Sequence, residues 1–209
     1  MNITIETINI ENLHMSRPVD IPPMERAFLS ALIASAMSQD ATPAEPPAFP
    51  EVPAIDGRPR IGEYWPSQGG IYAGDFRGDD GVIYGLIVAD CGEDAGRARW
   101  APDGERSDLS TWDGLANTQA LRDDCPAAKL ASDYQADGYA DFYLPARREL
   151  QLAVANVPHI FGAEGWYWSS TPYTDSYAWA VDFEFGDTRS VSRDGEFRVR
   201  PFRRVVIHD

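Results

Sequence analysis

Eight residues toward the C-terminus have the types and spacing of a contact surface: Tyr173, Asp175, Tyr177, Asp187, Arg189, Arg193, Asp194 and Glu196. Tyrosine and arginine among small polar neighbours make adaptable contacts at low entropic cost, the composition of binding patches. The plainer alternative is that Tyr173 and Tyr177 are half-buried loop anchors and that the charges are merely solvated. Catalytic chemistry finds less to work with. His14, His159 and His208 lie far apart, and none has a helical i, i+4 histidine or a Cys-x-x-Cys companion, so no metal centre is expected. Asp79 with Asp80, Glu93 with Asp94, and Asp123 with Asp124 are adjacent carboxylates, which point different ways on most backbones and read as solvated loop charges. Calcium could sit on loops at Asp175 or at Asp187 to Asp194, although no EF-hand spacing is present. Cys91 and Cys125 lack the spacing of a redox motif and stay open to two readings, two free buried thiols or one bridge. No catalytic residue, metal ligand or cofactor is assigned, and the chain is not expected to be an enzyme.

The elements that must position the contact residues are strands. Ala178, Ala180, Asp182 and Glu184 alternate with Trp179, Val181, Phe183 and Phe185, which predicts a half-buried strand with the larger side chains on one face. Gly186 and Asp187 supply a turn, and Thr188 to Ser192 can run back as a short strand. Asp194-Gly195 is the next hairpin signal before a strand in Phe197 to Val206, so an antiparallel meander is expected at the C-terminus. Trp166 and Trp168, beside Ser169, Ser170 and Thr171, read as core rings whose neighbouring hydroxyls satisfy local backbone groups.

Further upstream, residues 61 to 72 and 82 to 89 read as strands, the second apolar enough to be central, with a Gly/Asp turn from Gly74 to Gly81 between them. Residues 115 to 134 are helical in part, with Pro126 in the first turn of a helix through Ala131, and residues 147 to 157 form a second helix. An ordered loop, 156 to 165, leads into the aromatic block. Residues 1 to 40 hold a short strand (2 to 10) and a helix (24 to 37) whose wide apolar surface calls for a partner, either an oligomeric bundle or a docking site. From 41 to 59 six prolines preclude regular structure and make a semi-rigid spacer. The organisation is therefore an attachment segment (1–40), a linker (41–59) and a working domain (60–209), of α+β class.

Composition narrows the partners. The formal charge is −15, and a phosphate backbone is bound by Lys and Arg displacing counterions, so no nucleic-acid partner is expected. That acidity suits cationic partners or divalent ions. Two cysteines are too few for a disulfide scaffold. The first residues show no basic region followed by an apolar core, which predicts no secretory signal, and no run of about 18 apolar residues predicts membrane insertion.

The same residues carry a family resemblance. Leu144-Pro-Ala-Arg-Arg-Glu-Leu150, Trp168 to Thr171, Ala178 to Gly186, and Val199-Arg-Pro-Phe-Arg203 resemble, in order, the C-terminal domain first named from Legionella collagen-like protein. Gly62 to Gly74, Asp113 to Thr118, Pro126 to Ala128 and Asp141 to Pro145 resemble the version carried by tailed-phage and prophage proteins, so the similarity runs over about residues 60 to 205. Phe142 stands where the pattern has Trp, and Pro201 interrupts the terminal strand, implying an edge or bulge. The resemblance implies a C-type-lectin-like fold, akin to the formylglycine-generating enzymes, here with an antiparallel C-terminal meander and two helices. The Glu-Pro-Asn and Trp-Asn-Asp signatures of calcium-dependent sugar-binding lectins are absent.

The expected function is that of a phage tail-tip or tail-fibre-associated receptor-binding protein recognising a bacterial surface molecule. It would be made in the bacterial cytoplasm, located in the virion tail, bound to other tail proteins through residues 1–40, and homotrimeric by analogy with fibrous appendages. The alternatives are a structural tail or baseplate component whose lectin-like domain binds another virion protein, and a formylglycine-generating-type enzyme using Cys91 and Cys125.

Overall fold

The structure, a computed structural model, describes residues 57–100, 104, 109–121 and 124–207, all in the unit from Pro53 to Asp209. The expected strand at 2–10, the helix at 24–37 and most of the 41–59 spacer lie outside the described residues. Within them the architecture is mixed α+β, built from two sheets and three helices. β1 (Tyr64–Trp65), β2 (Gly70–Arg77), β3 (Ile83–Ala89) and β9 (Phe202–Val206) form an antiparallel sheet in the order β1-β2-β3-β9. β4 (Arg97–Ala98), β8 (Phe197–Arg198), β5 (Trp166–Thr174), β6 (Tyr177–Asp182) and β7 (Thr188–Ser192) form the second in that order, antiparallel except where β5 meets β8. The helices are α1 (Gly114–Leu121), α2 (Pro126–Ser132) and α3 (Arg147–Asn156).

β3 is central, as its apolar run requires, with β2 on one side and β9 on the other. The strand expected over 61–72 is instead a hairpin. Residues 66 to 69 turn, Tyr64 pairs with Ile71, and β2 then continues through Arg77 into what was expected to be turn. Pro66, Ser67 at φ 64° and Gly69 at φ 80° supply that reversal. The segment 115–134 divides into two helices because Pro126, which has no N–H to donate, starts α2 afresh after Leu121. Two expected helices thus become three. Cys125 caps α2, its Sγ accepting from the Ala128 N–H at 3.3 Å, and both cysteines are free thiols, the Cys91 thiol pushed up chiefly by burial. Cys125→Ser should keep this cap and stay within about 1 kcal/mol of wild type, whereas Cys125→Ala should lose about 1 kcal/mol in urea unfolding.

Two apolar cores flank the second sheet. One gathers Leu86 and Val88 of β3, Leu150 and Ala153 of α3, Tyr167 of β5, Val181 of β6, and Phe161, Phe183 and Phe202. The other joins Trp168, Ala178 and Ala180 to Trp100, Leu121 and the alanine face of α2. The expected one-sided strand at 178–185 is corrected by this. β6 ends at Asp182, it is buried through Ala178 and Ala180 on one face and Val181 on the other, and Phe185 is 74% exposed in the following turn. Ala178 and Ala180 are small because the helix layer and Trp168 press on that face. Trp168 is fully buried, its indole N–H donating to the Ala98 carbonyl at 2.8 Å.

The C-terminal meander exists as β5-β6-β7 and then stops. Asp194-Gly195 does turn, but the chain does not return beside β7; β8 crosses to the far side of β5. Arg193 accounts for the diversion: its carbonyl accepts from the Trp100 N–H at 3.1 Å, and its guanidinium lies 4.4 Å from the Trp100 ring. Pro201 then separates β8 from β9, so the terminal segment serves both sheets, with the Pro201 carbonyl accepting from Ala89.

Candidate functional site

The outward face of β5-β6-β7 is built by strand alternation. Tyr177 and Trp179 of β6 share a face, and across the ladder stand Ser192 opposite Tyr177 and Ser190 opposite Trp179. Tyr173, near the end of β5, reaches the same face, its ring edge-on to Trp179 with centroids 4.9 Å apart. Tyr173 is 56% and Tyr177 46% exposed, while Trp179 is half-buried beneath them. From α3, Arg147 lays its guanidinium 4.7 Å from the Trp179 ring, and Gln151 donates to the Thr188 hydroxyl at 3.4 Å. The result is a shallow strip of exposed phenols over a buttressed indole, rimmed by hydroxyls. Such a strip can stack on an apolar or sugar ring and hydrogen-bond to its edges.

The eight expected contact residues do not converge. Tyr173, Asp175, Tyr177 and Asp194 gather where β5 turns into β6. Arg189 pairs with Ala180 instead, three residues along β6 and about 10 Å away, and Asp187 lies further on in the opposite turn. Arg189 also sits on the other face, over Trp166 at 5.8 Å, with Asp187 as its ion partner at 2.9 Å. Glu196 stands apart, 4.0 Å from Arg99. Arg193 is only 1% exposed, donating to the carbonyls of Gly104 at 2.9 Å and Thr174 at 2.5 Å, so it braces the Tyr173 loop from beneath. Trp179, Ser190, Ser192 and Arg147 were not anticipated as part of this face. The alternation of Tyr177 with Trp179 carries the signal, but grouping Trp179 with Val181 and Phe183 places it on a buried face.

Beneath the strip, the start of α3 is fastened by one carboxylate. Glu149 is 1% exposed; one oxygen accepts from the N–H groups of Ala146 at 2.7 Å and Gly114 at 3.2 Å, and the other from the Tyr143 hydroxyl at 2.7 Å. This is the returning half of a capping box whose N-cap is alanine, which hides its usual signature. Burial raises the Glu149 carboxyl from 4.5 to about 7, against the lowering effect of its hydrogen bonds and of Arg204. The Tyr143 hydroxyl is pushed well above its ordinary value by burial and then by the Glu149 charge. Gly114 is obligatory here, since a Cβ would come 2.4 Å from the Glu149 carboxylate and 2.5 Å from the Ala146 nitrogen.

The terminal arginines are a second fastening system. Arg198 donates to both Glu93 and Asp94 at 2.7 Å, so these neighbouring carboxylates do converge, contrary to the expectation of two solvated charges. Arg200 donates to the carbonyls of Gly92 and Ile160, Arg203 to Asp141 at 2.5 Å and Gln68 at 2.6 Å, and Arg204 pairs with Asp113 at 3.2 Å. Each reaches a different loop and lies over an aromatic ring: Tyr167, Phe161, Tyr139 and Tyr84 in turn.

Among the described residues no group of three or more His, Cys, Asp or Glu is placed to hold a metal ion, and no helix is long and apolar enough to cross a membrane. No protein-family model matches the chain, and no curated protein matches it.

Proposed function

We propose that residues 60–209 are a non-catalytic, C-type-lectin-like recognition domain that binds a bacterial surface molecule through the Tyr173–Tyr177–Trp179 strip, as part of a phage tail protein. The observation that carries this is the exposure of Tyr173 and Tyr177 over a half-buried, cation-buttressed Trp179 on an otherwise well-packed sheet. Exposed aromatics on a rigid platform lose little entropy on binding and supply most of the contact energy in such interfaces. The ordered run of motifs from Gly62 to Arg203 supports the lectin-like and phage-tail parts of the reading. Residues 1–40 and the 41–59 spacer would then carry the domain on the tail as a homotrimer.

The test is binding of the fluorescently labelled full-length protein to intact cells of a susceptible bacterium, together with competition against phage adsorption. Saturable binding and blocked adsorption are expected. A protein that neither binds nor blocks would refute the receptor role. Phage lacking residues 60–209 should assemble and fail to adsorb; failure to assemble would assign the domain to virion architecture instead.

A further inference from the structure

A cavity of about 510 Å³ opens beside α3. Phe76 and Arg77 at the end of β2, Trp112 ahead of α1, and Arg148, Glu149 and Leu152 of α3 line it. Its size falls within the range of sites that enclose a small organic molecule. Phe76 and Leu152 pack onto the first core from this side and give the cavity an apolar wall.

The charge distribution around it runs against that of the chain. With a net charge of −15 the arginines have acids in excess, and Arg58, Arg198, Arg203 and Arg204 each pair with one. Among the described residues Arg77 and Arg148 have no such partner; of the others that also lack one, Arg147 lies on Trp179 and Arg200 donates to backbone carbonyls. The carboxylates beside Arg77 and Trp112 in sequence are already engaged: Asp75 by Arg58 and the Tyr72 hydroxyl, Asp79 by the Ser110 hydroxyl, Asp80 by the Tyr84 hydroxyl and the Val82 N–H, and Asp113 by Arg204 and the Ala116 N–H. Both oxygens of Glu149 are taken by Gly114, Ala146 and Tyr143. Arg148 holds its guanidinium 4.3 Å from the Trp112 ring. Stacking of that kind occupies the face of the guanidinium and leaves its in-plane N–H groups to grip an anion.

We propose that this cavity binds a small organic anion, its flat or apolar body against Phe76, Leu152 and Trp112 and its carboxylate or phosphate group held by Arg77 and Arg148. Arginine is suited to this because its planar fork matches either anion with paired hydrogen bonds. The site shares Gln151 with the rim of the aromatic strip but none of its rings, and neither arginine belongs to the strip, so the two readings can be tested separately.

Isothermal titration of the full-length protein with benzoate, phenyl phosphate, glucuronate and uncharged benzyl alcohol tests it. At least one of the three anions should saturate below about 10 mM, weaken with added salt, and exceed benzyl alcohol by roughly tenfold or more. The indole N–H resonance of Trp112, assigned with Trp112→Phe, should shift with the same titration. Arg77→Gln/Arg148→Gln should lose at least about tenfold in affinity and melt within about 4 °C of wild type, because both side chains are exposed, neither has an ionic partner, and only the Arg148 stack on Trp112 is lost. Benzoate strongest indicates a flat ring as the body, and glucuronate strongest a sugar acid. Saturation by none of the anions, equal binding of benzyl alcohol, or anion binding that the double variant leaves intact would overturn the proposal.

Discussion

Glu149→Ala should destabilise the domain by about 3–5 kcal/mol, because it strands three buried donors at once, the N–H groups of Gly114 and Ala146 and the Tyr143 hydroxyl. Glu149→Gln should stay within about 1 kcal/mol of wild type at pH 4.5, where the folded carboxyl is also protonated, and be the more stable of the two at neutral pH, since its carbonyl can take both N–H groups while the Tyr143 hydroxyl turns to accept from the amide. The pair separates the loss of hydrogen bonds from the loss of charge. The raised carboxyl adds a pH signature. The folded state holds the proton more tightly than the unfolded chain, so stability is highest below the unfolded value of 4.5 and declines as pH rises to about 7. The decline from this group is at most about 3 kcal/mol, with Tyr143, Arg204 and Asp113 the charged or titratable groups acting on it. Urea melts at pH 4.5, 6 and 8 measure it, and Glu149→Gln should flatten this part of the profile. A glutamine variant as damaged as the alanine one, with the wild-type slope intact, would refute this assignment.

Arg200→Ala should cost about 3 kcal/mol. Arg200 is 1% exposed, and its Nη1 donates to the carbonyls of both Gly92 and Ile160 while the guanidinium lies 5.2 Å from the Phe161 ring. Removing it frees two loops and leaves a hole beside the stacked Phe161 and Phe183. Arg200→Lys should recover less than half of the loss, because an ammonium cannot span two carbonyls and cover a ring together. Amide exchange should quicken at Phe161, Gly162 and Ala95, around these loops, with little change in β2 and β3. Full rescue by lysine would show that charge alone, and not the planar fork, is what the site needs.

Legibility from sequence followed the range of the interactions. Strand alternation and turn chemistry are local, and β3, β7, the Gly186 turn, α3 and the proline start of α2 follow from them directly. The path after β7 does not, because it depends on Arg193 meeting Trp100, residues 93 positions apart, and on Pro201 dividing one apparent strand between two sheets. Burial of β6 on both faces was equally hidden, since small alanines facing a helix layer have the same pattern as polar-side spacers on an open sheet. Composition singles out Tyr173 and Tyr177, which are exposed. Arg193 was misplaced for the same reason: composition treats every arginine in a turn as solvent-facing, and only tertiary contacts bury one. Glu149 lay inside a recognised segment, yet its role required knowing that Gly114 and Tyr143 come to meet it.

The central claim is that recognition uses the Tyr173–Tyr177 end of the meander and not its Asp187–Arg189 end. Binding isotherms on intact susceptible cells for the full-length protein, Tyr173→Ala/Tyr177→Ala and Asp187→Ala/Arg189→Ala, with melting temperatures matched, test it most directly. Two central aromatic contacts should account for about 3 kcal/mol or more, so the tyrosine variant should bind at least about a hundredfold more weakly and the Asp187/Arg189 variant like wild type. Unchanged binding by the tyrosine variant, or an equal loss in both, would contradict the account.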